Sequence, residues 1–439
     1  MNEQPSPLII PRSEHCLSRN GIDPAALKVL YRLHHHGFTA YLVGGCVRDL
    51  LLGKTPRDFD VATNAHPQQI RELFHNSRLI GRRFRLVQVY FHGGKTIEVS
   101  TFRRRSEFEE AGEIGPPHPE NTFGTPVEDA FRRDITINGI FYNIADFSIV
   151  DYVSGLGDLR QGVIRCIGDP EEKFVHDPVR MLRVIRHAAR TGFPIEEKTY
   201  QCLLGHVERL GLCSPARVRD EFLRELQEGS AEKSMALMIQ TGMLFILFPL
   251  FRPLLNEEGQ KEYFLRIIGA LDSLYVSENT PSEEFFLSLF LYPLFKVCCR
   301  VDDFPPGRKG QTAFHQNVRE WLGEILGPLQ FTRQGKEAAS NLLSTQRIFR
   351  EFLPGRKLPL RLMRKPYFLQ AHLLSDVEAR ARGEGPEVLG PPAEERKVQG
   401  RKKKRRHRRQ RRRLPLADRA LDRKKEQNPL TWPATENRS

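Results

Sequence analysis

The chain has 439 residues, more than one hydrophobic core usually holds, so two or more domains are expected. Its 39% hydrophobic and 28% charged residues describe an ordinary globular protein, and a formal charge of +14 favours an anionic partner. Seven scattered cysteines without a CxxC pair exclude a disulfide framework and a zinc-ribbon pattern, which makes a reducing cytoplasm the expected home.

In chain order, residues 1–22 form an N-terminal extension without a basic and apolar signal-peptide pattern. Asp23 and Pro24 are good cap and first-turn residues, and Ala26, Leu27, Leu30 and Leu33 make one apolar helix face that ends at Gly37. His34, His35 and His36 diverge on such a helix, so an exposed helix end is expected there rather than a metal site.

Tyr41-Leu-Val43 reads as a buried strand. Gly44 and Gly45 then allow a tight turn, and Val47 to Leu52 is helical and closed by Gly53. The free N–H groups and dipole of that helix point at the turn, where a triphosphate fits, and Arg48 is placed to clamp the same anion. In Arg57-Asp-Phe-Asp-Val61 the strand period of two sends Asp58 and Asp60 to one face and Phe59 and Val61 to the other. Two hard oxygen ligands side by side suit Mg²⁺, which takes the rest of its shell from substrate phosphates in the two-metal chemistry of polymerases.

The segment Leu79 to Val89 reads as a turn with Arg82, Arg83 and Arg85 around Phe84, then an alternating strand suited to RNA phosphate and a stacked base. Thr96 to Ser100 is a second alternating strand and carries Glu98. Asp177 to Arg186 has a helical period, with Asp177, Arg180 and, less directly, Arg183 on one face. An aspartate acceptor beside an arginine donor matches the base edge of adenine or cytosine and rejects guanine and uracil, giving a choice of nucleotide without a template.

From about 165 to 380 the pattern is almost continuously helical. Met243 to Leu255 and Phe285 to Phe295 are interrupted by Pro249, Pro253 and Pro293, fall short of the ~18 residues of a membrane span, and read as core helices. Gly, Pro and charge then rise, and the run Arg401 to Arg413, which includes Arg405 and Arg406, holds eleven Lys and Arg residues with no acid. Without it the net charge falls from +14 to +3, so this run dominates the long-range field. It is expected to be disordered and to attract RNA by counterion release, or to serve as a site for RNA-degradation machinery.

The ordered set Gly44-Gly-Cys-Val-Arg-Asp49, Asp58-Phe-Asp60, Arg132-Arg-Asp-Ile-Thr-Ile-Asn138 and Asp177-Pro-Val-Arg180 with Arg183 and Arg186 resembles the class II nucleotidyltransferase family. That family contains bacterial poly(A) polymerases and the enzymes that build the CCA end of tRNA. The resemblance covers roughly residues 8 to 375, and the arginine segment is most like the poly(A) polymerase branch. It implies an α+β protein: a polymerase-beta-like α/β catalytic head at 23–165, a helical neck with the nucleobase-binding helix at 166–230, an RNA-binding helical body at 231–380, and a basic tail at 381–439. Implied too are Arg132 and Arg133 at the triphosphate and ribose, and Asp134 as a third catalytic acid, with Glu98 the competing candidate. The implied reaction adds AMP from ATP to RNA 3′-hydroxyl ends; the alternatives are a tRNA nucleotidyltransferase adding C, A or CCA and an inactive RNA-binding protein on the same scaffold. The chain departs from the pattern at His176, where members usually carry a glutamate, and a histidine acceptor is expected to substitute for it in part.

Overall fold

A computed structural model describes residues 6–81, 86–104, 123–275, 281–351 and 358–383. Arg82, Arg83 and Arg85 and the basic run with Arg405 and Arg406 lie outside the described residues.

The first part of the chain builds one eight-stranded sheet: β1 (Leu8–Ile10), β2 (Ala40–Val43), β3 (Asp60–Thr63), β4 (Ser77–Ile80), β5 (Leu86–Tyr90), β6 (Thr96–Thr101), β7 (Ile140–Asn143) and β8 (Ile149–Asp151). Their order is β1-β8-β7-β2-β3-β6-β5-β4. Only β3 and β6 run parallel, because the chain leaves β3 through a helix and the β4–β5 hairpin before it returns as β6. The extension expected at 1–22 is not separate from the head, since Leu8–Ile10 pairs with β8 as the edge strand. Three residues are too few to show a period of two in the sequence.

Helix α1 (Pro24–His35) starts at Asp23, whose carboxylate accepts from the Ala25 N–H at 2.7 Å. Its Ala26, Val29, Leu30 and Leu33 are fully buried against β2, β3 and β6, and full burial of a leucine or valine stabilises by about 1.5–3 kcal/mol. The three histidines at its end are exposed, as the helix geometry predicts. Helix α3 (Pro67–Leu73) covers the same face over β4, β5 and β6. On the other face Val43, Ala62, Phe102, Phe141 and Val150 form a smaller apolar cluster with Ala130 of α4 (Pro126–Arg132). Asp60 lies two residues from Ala62 in β3, so its side chain emerges on this second face, where the covering is incomplete.

From Gly155 onward the described residues are helical, with their own aromatic centre. Phe290 lies 4.9–5.9 Å from the rings of Phe222, Phe248, Phe251 and Phe264, and each such pair adds roughly 0.5–1.5 kcal/mol beyond area burial. The helix Glu283–Cys298 runs through Pro293 and is buried from Phe285 to Phe295, as a core helix should be. Met243 to Leu255 instead divides into two short helices, Met243–Leu247 and Phe251–Asn256, around Pro249. No helix among the described residues is long and apolar enough to cross a membrane.

Candidate active site

The turn after β2 is built on Gly44, whose φ of +79° and ψ of −144° suit only glycine. A Cβ there would lie 3.3 Å from the Arg133 guanidinium and 3.8 Å from Asp60 Oδ2, so the missing side chain brings backbone, cation and carboxylate together. Gly45 opens helix α2 (Gly45–Leu51). With only seven residues, α2 offers little dipole, and two guanidinium groups border the turn: Arg133 at Gly44 and Arg48 at Gly45, where an added Cβ would likewise lie 3.3 Å from Nη2.

Asp60 pairs with Val43 across β2 and with Glu98 across the parallel β6. Asp58 lies in the extended segment before β3, not in the strand, yet the alternation holds: Phe59 and Val61 are buried while both acids are exposed. Although part of the Asp60 side chain meets solvent in the cleft, desolvation by the protein around its carboxyl pushes it up to about 6, and Glu98 and Asp58 add to this while Arg133 opposes it. Glu98 also accepts from Gln88 Nε2 at 3.0 Å.

Arg132 and Arg133 close α4, and a residue the sequence reading passed over holds them. Asp129, 1% exposed, accepts from Arg133 Nε and Nη2 at 3.2 and 2.9 Å and lies 3.6 Å from Arg132 Nη2. Burial works to raise its carboxyl, but the two arginines hold it below the ordinary value. An acid three and four residues before an arginine pair is the signal that could have found it.

Two of the expected site residues are engaged by other groups of the protein. Asp134, expected as the third catalytic acid, is bound instead by Arg180 Nη1 at 2.7 Å and Arg183 Nη1 at 2.9 Å. Its burial raises the carboxyl, but Arg183 and Arg180 more than compensate, and the result is lower than usual. Glu98, not Asp134, stands beside Asp60. Arg48, expected to clamp phosphate, borders the cavity but is buried. Its Nε donates to Asp49 Oδ1 at 2.9 Å and its Nη1 to Asn138 Oδ1 at 2.8 Å, while Arg190 Nη2 donates to the other Asp49 oxygen at 2.8 Å. Asn138 in turn lies 3.1 Å from His187 Nε2. Burial and four surrounding arginines keep His187 neutral by lowering its pKa.

The nucleobase segment is also broken differently from the expectation. Helix Pro170–His176 ends at Asp177, and a new helix, Val179–Thr191, begins after Pro178, so Asp177 sits at the junction and not on the helix face. It still lies 3.5 Å from Arg180 Nε. His176 is exposed, without a polar partner among the described residues, and does not replace the missing glutamate. Arg217 contacts Asp177 instead, with Nη2 3.0 Å from each carboxylate oxygen.

Gly44, Gly45, Arg48, Asp58, Asp60, Glu98, Arg132, Arg133, Asp134, Arg180 and Arg183 all line one cavity of about 490 Å³; Asp177 does not. Such a cavity has the size of a small-molecule site, and its lining combines carboxylates with several arginines.

Residues 40–165 match the family described as poly A polymerase head domain, and residues 192–255 match a probable RNA and SrmB-binding site of polymerase A. The chain is 42% identical to poly(A) polymerase I of Salmonella typhi over 309 residues, 68% of this chain and 66% of that protein, so it spans just under two thirds of that relative. It is 36% identical to the CCA-adding enzyme of Lactobacillus delbrueckii subsp. bulgaricus, over 72% of this chain and 74% of that enzyme. Among solved structures, the Bacillus stearothermophilus CCA-adding enzyme in complex with CTP aligns with a TM-score of 0.57 and 25% identity, covering 83% of this chain and 80% of that one. The chain belongs to the nucleotidyltransferase family that comprises poly(A) polymerases and CCA-adding enzymes.

Proposed function

We propose that this protein adds AMP from ATP to the 3′-hydroxyl of RNA without a template. The bond from the RNA 3′-oxygen to the α-phosphorus forms, the bond from that phosphorus to the β-bridging oxygen breaks, and pyrophosphate leaves. The observation that carries the reading is the convergence of Asp58, Asp60 and Glu98 opposite Arg132 and Arg133 in one cavity beside the Gly44 turn. The greater similarity to poly(A) polymerase I than to the CCA-adding enzyme supports adenylate addition.

The carboxylates fit Mg²⁺: Asp60 stands beside Glu98 across the parallel strand pair, with Asp58 two residues before it. Mg²⁺ needs only one or two protein carboxylates and completes its shell from water and substrate phosphates; among the described residues no group of three His, Cys, Asp or Glu side chains is placed to hold a metal ion. When bound, Mg²⁺ activates the attacking hydroxyl and neutralises the departing pyrophosphate. Asp58 and Asp60 would hold it, with Glu98 as the third acid. Arg133, fixed by Asp129, faces the triphosphate at Gly44, and Arg132 faces the ribose side. Arg180 and Asp177 read the base edge, and Arg183 orients Asp134 against Arg180. The head and neck at 23–230 carry the chemistry, the body at 231–380 grips RNA, and the segment at 82–85 and the basic tail add phosphate contacts in a cytoplasmic setting.

Asp177 and Arg180 match cytosine as well as adenine, and a related structure holds CTP, so addition of C, A or CCA to tRNA is the second reading. Incubating the purified protein with Mg²⁺ and each labelled nucleotide in turn, on an RNA oligonucleotide and on a tRNA lacking CCA, separates the two. Long ATP-only extension of the oligonucleotide supports the first; one to three additions confined to tRNA, with CTP used, support the second. Asp60→Asn should abolish incorporation and leave RNA affinity unchanged in a filter-binding titration. Full activity of that variant would remove the metal assignment.

A further inference from the structure

Reading a base edge by hydrogen bonds needs both partners fixed before the nucleotide arrives, because a mobile carboxylate turns toward whichever cation is nearest. Arg180 is fixed: its Nη1 donates to Asp134 Oδ1 at 2.7 Å and to the Arg132 carbonyl at 3.1 Å, so two groups from the far side of the cavity set its plane. Asp177 has no comparable support from its own segment. It sits at a junction between two helices, next to the exposed His176, and Arg180 Nε lies 3.5 Å away, beyond a normal hydrogen bond.

What holds Asp177 comes from forty residues further on. Arg217, in the first turn of the helix Pro215–Gln227, places one nitrogen 3.0 Å from both carboxylate oxygens. Each oxygen accepts one hydrogen bond from this contact and keeps a second lone-pair direction for a base amino group.

Resting on the assignment of Asp177 and Arg180 to the base, we propose that Arg217 is a specificity-determining positioning residue, holding Asp177 oriented as an acceptor for the exocyclic amino group of the incoming nucleotide. An ionised carboxylate between two guanidinium groups accepts an amino hydrogen and repels the carbonyl oxygen that guanine or uracil presents at the same place. Without Arg217 the carboxylate closes onto Arg180, and both members of the reading pair are lost together. The Arg217 side chain is 58% exposed, so its ion pair adds little to folding and its removal should leave the protein intact.

The experiment measures kcat and KM for ATP, GTP and UTP on one RNA oligonucleotide with wild type, Arg217→Ala, Arg217→Lys and Asp177→Asn. Arg217→Ala should raise KM for ATP and lower the ATP preference over GTP and UTP, each by about tenfold, while kcat at saturating ATP stays within about threefold. Arg217→Lys, which keeps the charge, should recover most of the preference. Unchanged ATP kinetics and preference in Arg217→Ala would overturn the proposal, and so would a gain in ATP kcat/KM, which would mean that Arg217 competes with the base. If Asp177→Asn loses the preference and Arg217→Ala does not, only the role of Arg217 fails; if neither loses it, the base-reading assignment fails as well. Should the alanine variant not fold, Arg217→Gln, which fills similar space without charge, carries the same readout.

Discussion

Arg48 illustrates how a charged side chain that follows a glycine pair can belong to the architecture instead of the ligand. A buried guanidinium is costly unless it is paired, and here Asp49 accepts from Nε and Asn138 from Nη1, while Nη2 has only the ion pair with Asp49. Removing it leaves Asp49 buried with Arg190 as its remaining partner, so Arg48→Ala should lower unfolding free energy by about 3–5 kcal/mol in a urea titration. A phosphate clamp would instead lose ATP affinity at constant stability, and that result would restore the original expectation. The sequence could not show this because Asn138 and Arg190 are 90 and 141 residues away from the residues they contact. The same holds for Asp134, whose partners Arg180 and Arg183 come from a later helix. What was legible is local: the alternation Asp58, Phe59, Asp60, Val61 fixes which side chains are buried through the period of the backbone alone.

Among the elements, the β2 turn and the parallel β3–β6 pair matter most for the site. Gly44 is required twice, by its backbone angles and by the guanidinium that would meet its Cβ at 3.3 Å. Gly44→Ala should therefore cost about 1–3 kcal/mol of backbone strain, read as a lower Tm, and weaken ATP binding further by displacing Arg133. An unchanged Tm would show that the turn relaxes without strain. The glycine pair was readable as a tight turn from its sequence. The neighbour of Asp60 was not, because strand pairing brings Glu98 alongside from a separate alternating segment, and nothing in either segment names its partner. Helix boundaries failed at prolines for the same kind of reason: Pro178 precedes a new helix and Pro249 separates two short ones, whereas Pro293 sits inside one, and tertiary packing decides which.

At the level of the whole molecule, a buried acid lies between two helices of the second half. Glu225 is fully buried, with Ser234 donating to one carboxyl oxygen at 2.6 Å and no partner for the other among the described residues. Burial pushes its pKa from 4.5 up to about 8, against the pull of Arg186. Both folded and unfolded states hold the proton below pH 4.5, so the penalty is absent there; it grows as pH rises toward 8, because only the unfolded state then ionises readily. Glu225→Gln should accordingly raise Tm at pH 8 and change it little at pH 5, and equal effects at both pH values would show that Glu225 is ionised in the folded protein. The basic run at 401–413, legible from composition alone, makes a separate prediction. Its deletion should flatten the dependence of RNA affinity on salt concentration, and an unchanged slope would assign those charges to another partner. One contact joins the two halves at the chemistry itself: the Arg57 guanidinium lies 3.8 Å over the ring of Tyr275, the last residue of the helix Gln260–Tyr275. Asp58 is the next residue in the chain, so the loop bearing the acids is moored at one end to the sheet and at the other to a helix of the proposed RNA grip. A displacement of that helix would therefore reach Asp58 through the neighbouring backbone.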